Sequence, residues 1–243
     1  MKVEGRNAVR ELVNNNATID KVLIQNNLHD PVLTEIVNLI KQKKIRFQFV
    51  PQNVLNSESA TKHHQGIIAY TSEFKYCTLE DILDFAKQKN EDPFILILDG
   101  IEDPHNLGSI IRVCECLGVH GVIIEKTRAC QVNETVIKTS AGATSYVKVA
   151  RVANINNEIE KLKKQNVWVY ACELGGQDLT KANLKGGIAI VIGSEGRGTG
   201  KLTLSKCDGI VTIPQFGKIN SLNASVATGI VLYEAKKQRM LGD

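Results

Sequence analysis

The run FILILDGIEDPHNLGSIIRVCECLG, residues 94–118, changes period in its middle and so points to the fold class. Its first five residues are uninterruptedly apolar, which suits a strand covered on both faces, as in a parallel sheet. Beyond Asp99, Gly100 and Pro104 the apolar positions are Leu107, Ile110, Ile111, Cys114 and Leu117, a stripe that predicts a helix. Asn106 stands where the N-cap of that helix is expected. Arg112 falls off the stripe, leaving its guanidinium free to meet something anionic. A buried strand, a loop and a helix in this order form the unit of an α/β sheet. Open sheets of that kind bind ligands beside the loops at the carboxyl ends of their strands.

Working outward, the same texture continues to the end of the chain. VIIE at 122–125, VWVY at 167–170, IAIVI at 188–192 and IVTI at 210–213 read as further buried strands, with Trp168 as a core residue. IAIVIGSEGRGTGKLTLSKCD, 188–208, feeds a buried strand into a glycine-rich loop in which Glu195 is the one acidic residue. The loop is no phosphate-cradling P-loop, because Gly200 and Lys201 are followed by Leu202. It lacks the dinucleotide fingerprint as well. IVTIPQFGKINSLNASVATGIVLYEA, 210–235, passes from a strand through Pro214 and Gly217 into a helix expected over 222–240. Ser221 or Asn223 would cap that helix, and having both is more than a cap requires. Ala224, Ser225, Ala227 and Gly229 allow close packing, and Val226, Ile230 and Tyr233 share one side of the helix.

Residues 1–71 have shorter alternating elements. Helical spacing appears at Ala8, Val9, Leu12 and Val13 and again from Val32 to Ile40, with strands expected at 22–24, 45–50 and 66–70 and one turn at 52–55. The polar stretch 72–92 carries one marginal helix. The division expected is therefore a small α/β unit over 1–72, a linker over 73–91 and a larger α/β domain over 92–243.

Composition narrows the classes. The 243 residues are 43% hydrophobic and 23% charged, which excludes a disordered or fibrous chain. No apolar run approaches the roughly 18–20 residues of a membrane span. Six cysteines without a secretory signal argue for reduced thiols and a cytoplasmic protein. Cys114 and Cys116 lie two apart on one helix, with no second pair at metal-site spacing, so no metal is expected. Thirty basic against 26 acidic residues permit a nucleic-acid partner without requiring one. KQKKIR at 41–46 is the better candidate for phosphate contact, and the basic group at 236–239 reads as a solvated helix end. His63 and His64 read as loop residues.

DPHNLGSIIRV, IGSEGRG and IPQFGKINSLNASVATGI, in this order, resemble the motifs of the SpoU-type RNA ribose 2′-O-methyltransferases of the SPOUT superfamily. EGRNAV at 4–9 and HHQGIIA at 63–69 resemble the small substrate-binding domain of the same family. The resemblance implies a C-terminal SPOUT domain with a deep trefoil knot, a small α/β RNA-binding domain before it, and a homodimer. It implies S-adenosyl-L-methionine (AdoMet) as methyl donor, held through Gly193, Gly196, Ile213 and Leu222. It places Asn106, Arg112, Glu195, Ser221 and Asn223 in the catalytic site. Because a guanidinium offers donors and no acceptor, Arg112 reads better as a clamp on a phosphate than as a base, with Glu195 and Asn223 positioning it and the hydroxyl. The likeness is strongest to enzymes that methylate a guanosine of 23S ribosomal RNA, with neither DNA nor membrane as partner. Transfer RNA is the alternative substrate, and a non-catalytic RNA-binding assembly protein is the alternative of another class.

Overall fold

A computed structural model describes residues 2–14, 19–26, 30–59, 62–71, 74–218 and 221–240. The chain divides into two units, 1–75 and 76–243. In the first, β1 (Lys2–Glu4), α1 (Arg6–Asn14), β2 (Ile19–Gln25), α2 (Pro31–Gln42), β3 (Phe47–Val50), α3 (Gln52–Glu58) and β4 (Ile67–Thr71) follow one another. The expected single turn at 52–55 is the seven-residue α3. The strands form one sheet in the order β1-β4-β2-β3, with β2 and β3 parallel and the other pairs antiparallel. Val9 and Val13 of α1 and Leu33, Ile36, Val37 and Ile40 of α2 pack on one face, and Leu55 of α3 on the other. His64 is structural: its Nδ1 accepts from Gly66 N (3.0 Å), so the ring proton is on Nε2, facing Asn56 Oδ1 at 2.8 Å.

The second unit runs α4 (Leu79–Gln88), β5 (Phe94–Asp99), α5 (Pro104–Cys116), β6 (Gly121–Glu125), α6 (Glu134–Thr139), β7 (Lys148–Val152), α7 (Ile155–Lys164), β8 (Trp168–Asp178), β9 (Ile188–Gly193), α8 (Lys201–Lys206), β10 (Gly209–Thr212) and α9 (Ala224–Met240). Its six strands are all parallel, in the order β10-β8-β9-β5-β6-β7. Both faces are covered, as continuous apolar runs require. Ile95 and Ile97 of β5 and Ala189 and Val191 of β9 face Leu79 and Ile82 of α4 and Ile155, Ile159 and Leu162 of α7. α5 and α9 pack against each other.

Two expectations are corrected, and the structure adds a strand. Residues 76–91 are no linker: Thr78 and Asp81 close a capping box on α4, and Leu79, Ile82 and Ala86 are buried in the second unit. Trp168 is 59% exposed, because it opens β8 at the sheet's edge of burial; Val167, Val169 and Ala171 supply the core of that run. β7 was not foreseen, since Lys148 and Arg151 interrupt its apolar pattern, yet Val149 and Ala150 are buried in it. No helix among the described residues is long and apolar enough to cross a membrane.

Candidate active site

Three loops at the carboxyl ends of β5, β9 and β10 carry the motifs singled out above, and the parallel sheet sets them side by side. β5 and β9 are neighbours, with Asp99 opposite Gly193. The Asp99 carboxylate accepts from Gly200 N at 2.9 Å, tying down the far end of the 194–200 loop. Gly193 has no substitute, because a Cβ there would lie 2.2 Å from Gly198 C and Thr199 N. At Gly196, by contrast, a Cβ would meet nothing within 4 Å, so that backbone is open to whatever lies beside it.

The cap of α5 is Asp103, not Asn106. Its Oδ2 accepts from Asn106 N at 3.0 Å, and Pro104 occupies the first helical turn, where its missing N–H costs nothing. Shifting the cap three residues back releases the Asn106 side chain. The cap of α9 is Asn223, whose Oδ1 accepts from Ser225 N (3.0 Å), Val226 N (3.3 Å) and Ser225 Oγ (2.5 Å).

Backbone N–H groups only donate, so the Asn223 amide can face the helix only with its oxygen. Its Nδ2 must then point away, and it donates to Asn106 Oδ1 (2.9 Å) and Glu195 Oε1 (2.5 Å). Asn106 is oriented in turn, giving its Nδ2 to Glu195 Oε1 at 3.2 Å. Ala224 N, at the start of α9, donates to the same oxygen at 3.2 Å. Glu195 Oε1 thus collects three donors, while Oε2 has none among the described residues. The arrangement holds a carboxylate in one orientation with an acceptor to spare.

Beside this cluster lies a cavity of about 400 Å³. Gly193, Gly196, Ile213 and Leu222 all line it, as do Glu195 and Ser221, whose hydroxyl has no partner among the described residues. Cys172, Glu173 and Leu174 were not anticipated. They lie where β8 leaves the register of β10 between Ala171 and Gln177. Glu173 Oε2 accepts from Thr199 N (2.9 Å), bracing the far wall. The Gly175–Gly176 pair, between Leu174 and Gln177, was the available signal for that excursion. A smaller recess of about 270 Å³ opens on the other side of the 194–197 loop, between Glu102, Asn106 and Arg197.

Arg112 is not part of the cluster. Six residues beyond Asn106 on α5, it stands about 9 Å further along the helix, exposed and without a hydrogen-bond or ion-pair partner among the described residues. The expected contacts to Glu195 and Asn223 are not made. None of the six cysteines is in a disulfide, and burial pushes the thiols of Cys77, Cys172 and Cys207 up to about 11, so those three are no ready nucleophiles.

A model described as the SpoU rRNA Methylase family matches residues 93–233, and one described as RNA 2′-O ribose methyltransferase substrate binding matches residues 2–77. YacO of Bacillus subtilis (strain 168), assigned by name to the TrmH family of tRNA/rRNA methyltransferases, is 39% identical over 239 residues, covering 98% of this chain and 95% of its own. A TrmH-family protein of Staphylococcus saprophyticus is 40% identical over 245 residues, covering 99% and 97%. Among solved structures, the SpoU methyltransferase AviRb from Streptomyces viridochromogenes, in complex with AdoMet, aligns with a TM-score of 0.63 at 22% identity over 100% of this chain and 91% of its own. An AdoMet-bound rRNA methyltransferase from Sinorhizobium meliloti aligns at 0.60 and 22%, over 97% and 86%.

Proposed function

The chain belongs to the SpoU rRNA methylase family, whose members methylate RNA on the ribose 2′-oxygen with AdoMet, and from that premise we propose that its substrate is a guanosine of 23S ribosomal RNA. The observation that carries the catalytic reading is the Asn106–Glu195–Asn223 cluster on the rim of the cavity.

The cavity suits the cofactor. Its walls combine apolar side chains (Leu174, Ile192, Ile213 and Leu222) with the open backbone at Gly196, as a nucleoside with a charged tail needs. Gly193, Gly196, Ile213 and Leu222 would hold it, chiefly through backbone groups. When bound, AdoMet supplies an electrophilic methyl group on its sulfonium. The chain's own residues do the rest. A ribose hydroxyl is a poor nucleophile until its proton is shared, and Glu195 Oε2 is the acceptor left open for it. Asn106 and Asn223 hold that carboxylate still, and Ser221 adds a hydroxyl at the rim. Arg112 clamps a phosphate of the RNA, and positioning of this kind supplies much of a transfer barrier. The polypeptide path through these loops is read as the trefoil knot of the family. Val226, Ile230 and Tyr233 form an exposed stripe on α9 and are read as the contact with a second copy. Ribosomal RNA as substrate, together with six cysteines outside any disulfide, supports a cytoplasmic location.

The deciding experiment offers labelled AdoMet with unmodified 23S and transfer RNA to wild type, Arg112→Ala and Glu195→Gln. Ribose label in 23S RNA, lost in both variants, is expected. Label in transfer RNA alone would move the substrate to that class.

A further inference from the structure

The smaller unit carries a surface that the catalytic cluster leaves unused. Residues 1–75 hold ten basic and seven acidic side chains, and four of the basic ones fall in KQKKIR at 41–46, with no acidic residue between Glu35 and Glu58. This run leaves the end of α2 and leads into β3, an edge strand that among the described residues pairs only with β2. Lys43 is engaged, its Nζ donating to the carbonyls of Val13 (2.5 Å) and Asn14 (3.3 Å). Lys2 and Arg6 are paired with Glu58 and Asp30. Lys41, Lys44 and Arg46 are exposed, and their side chains have no hydrogen-bond or ion-pair partner among the described residues. Three residues beyond Arg46, Phe49 is 51% exposed. It is not a loose ring: it meets Phe47 edge-on, with centroids 5.6 Å apart and planes at 87°, and Phe47 packs on the core of the unit.

A charge run is ordinarily a solvated face, and a single exposed apolar residue needs no explanation. Gathered within nine residues, from the last turn of α2 through the turn into β3, with no anion near in sequence, they fit a ligand that offers both phosphates and flat rings. We propose that Lys41, Lys44, Arg46 and Phe49 form a docking surface for an unpaired segment of the substrate RNA. The three cations neutralise phosphates, and one base stacks on Phe49. This rests on the reading that RNA is the substrate, and it names the part of the small unit that touches it.

The two roles have different salt signatures, which makes them separable. The full chain is titrated with whichever RNA the wild type methylates, over a series of salt concentrations. The triple variant K41A/K44A/R46A is expected to bind at least tenfold more weakly at low salt. Its plot of log affinity against log salt should be shallower by about 2, since each phosphate contact on a single strand contributes roughly 0.7. Phe49→Ala should lose about tenfold with the slope unchanged, and Phe49→Trp should restore it. Affinity for AdoMet and melting temperature should hold in all three. Wild-type affinity and slope in the triple variant would overturn the surface. A Phe49→Ala variant that binds normally, or that Phe49→Trp fails to match to wild type, would overturn the stacking role. If the wild type binds neither RNA, the substrate reading itself has failed and takes this surface with it.

Discussion

Asn223 shows how one side chain can be a helix cap and a site residue at once. The two uses draw on opposite ends of its amide, so they can be separated by substitution. Asn223→Ser keeps a capping oxygen and loses Nδ2. Stability by thermal melting should then stay within about 0.5 kcal/mol, because serine caps as well as asparagine, while single-turnover transfer falls about a hundredfold. A matching loss of melting temperature would mean that the cap was all Asn223 provided. The two loop glycines offer a similar contrast. Gly193→Ala drives a Cβ to 2.2 Å from Gly198 C and Thr199 N, and should lower both stability and AdoMet affinity. Gly196→Ala meets no protein atom within 4 Å, so it should fold normally and lose only affinity, read by calorimetric titration.

At the scale of elements, the site depends on where helices begin. Asp103 caps α5 and thereby sets the turn that carries Asn106. Asp103→Ala should cost about 1 kcal/mol in denaturant unfolding and reduce turnover beyond what that loss explains. The opposite end of the sheet responds to acid. His120 is fully buried at the start of β6, its Nδ1 accepting from Phe94 N at 2.9 Å. Burial holds its pKa below the ordinary 6.5. Lys89 and Arg239 push the same way, and the Glu91 carboxylate, 3.3 Å from Nε2, opposes them. The unfolded chain therefore takes up this proton first as the pH falls. The stabilisation is complete above 6.5 and drains as the pH drops from there towards the folded pKa. Melting temperatures measured across that range should fall more steeply in the wild type than in His120→Asn.

For the whole molecule, the division at 75/76 has a direct consequence. A chain beginning at Tyr76 keeps α4 and should fold and bind AdoMet while losing RNA affinity. One beginning at Asp92 loses the burial of Leu79, Ile82 and Ala86. At about 1.5–3 kcal/mol for each large apolar side chain, that deficit is a large part of a typical stability of about 5–15 kcal/mol. Calorimetry on the two fragments separates these outcomes. Assembly is tested on α9: Val226→Glu with Ile230→Glu should give a monomer by light scattering. A dimer that survives would place the contact elsewhere.

Much of this was legible in order along the chain. The unbroken apolar runs at 94–98 and 188–192 determined buried parallel strands, because only a sheet covered on both faces dispenses with polar alternation. The three motifs determined the family and the residues of the site's loops. The sequence also marked Asn106, Glu195 and Asn223, residues as far as 117 positions apart. It could not say that they share hydrogen bonds, since contacts across such separations exist only once the sheet sets its loops side by side. Local signals misled where tertiary packing outweighed them. A polar stretch became α4 because three of its residues fit a core built from distant strands, and an apolar Trp168 stayed outside because its place in β8 lies at the margin of burial. Which end of each amide faces Glu195, and which carboxylate oxygen stays open, was decided by the tertiary structure alone, because hydrogen-bond direction is set by the groups on the other side.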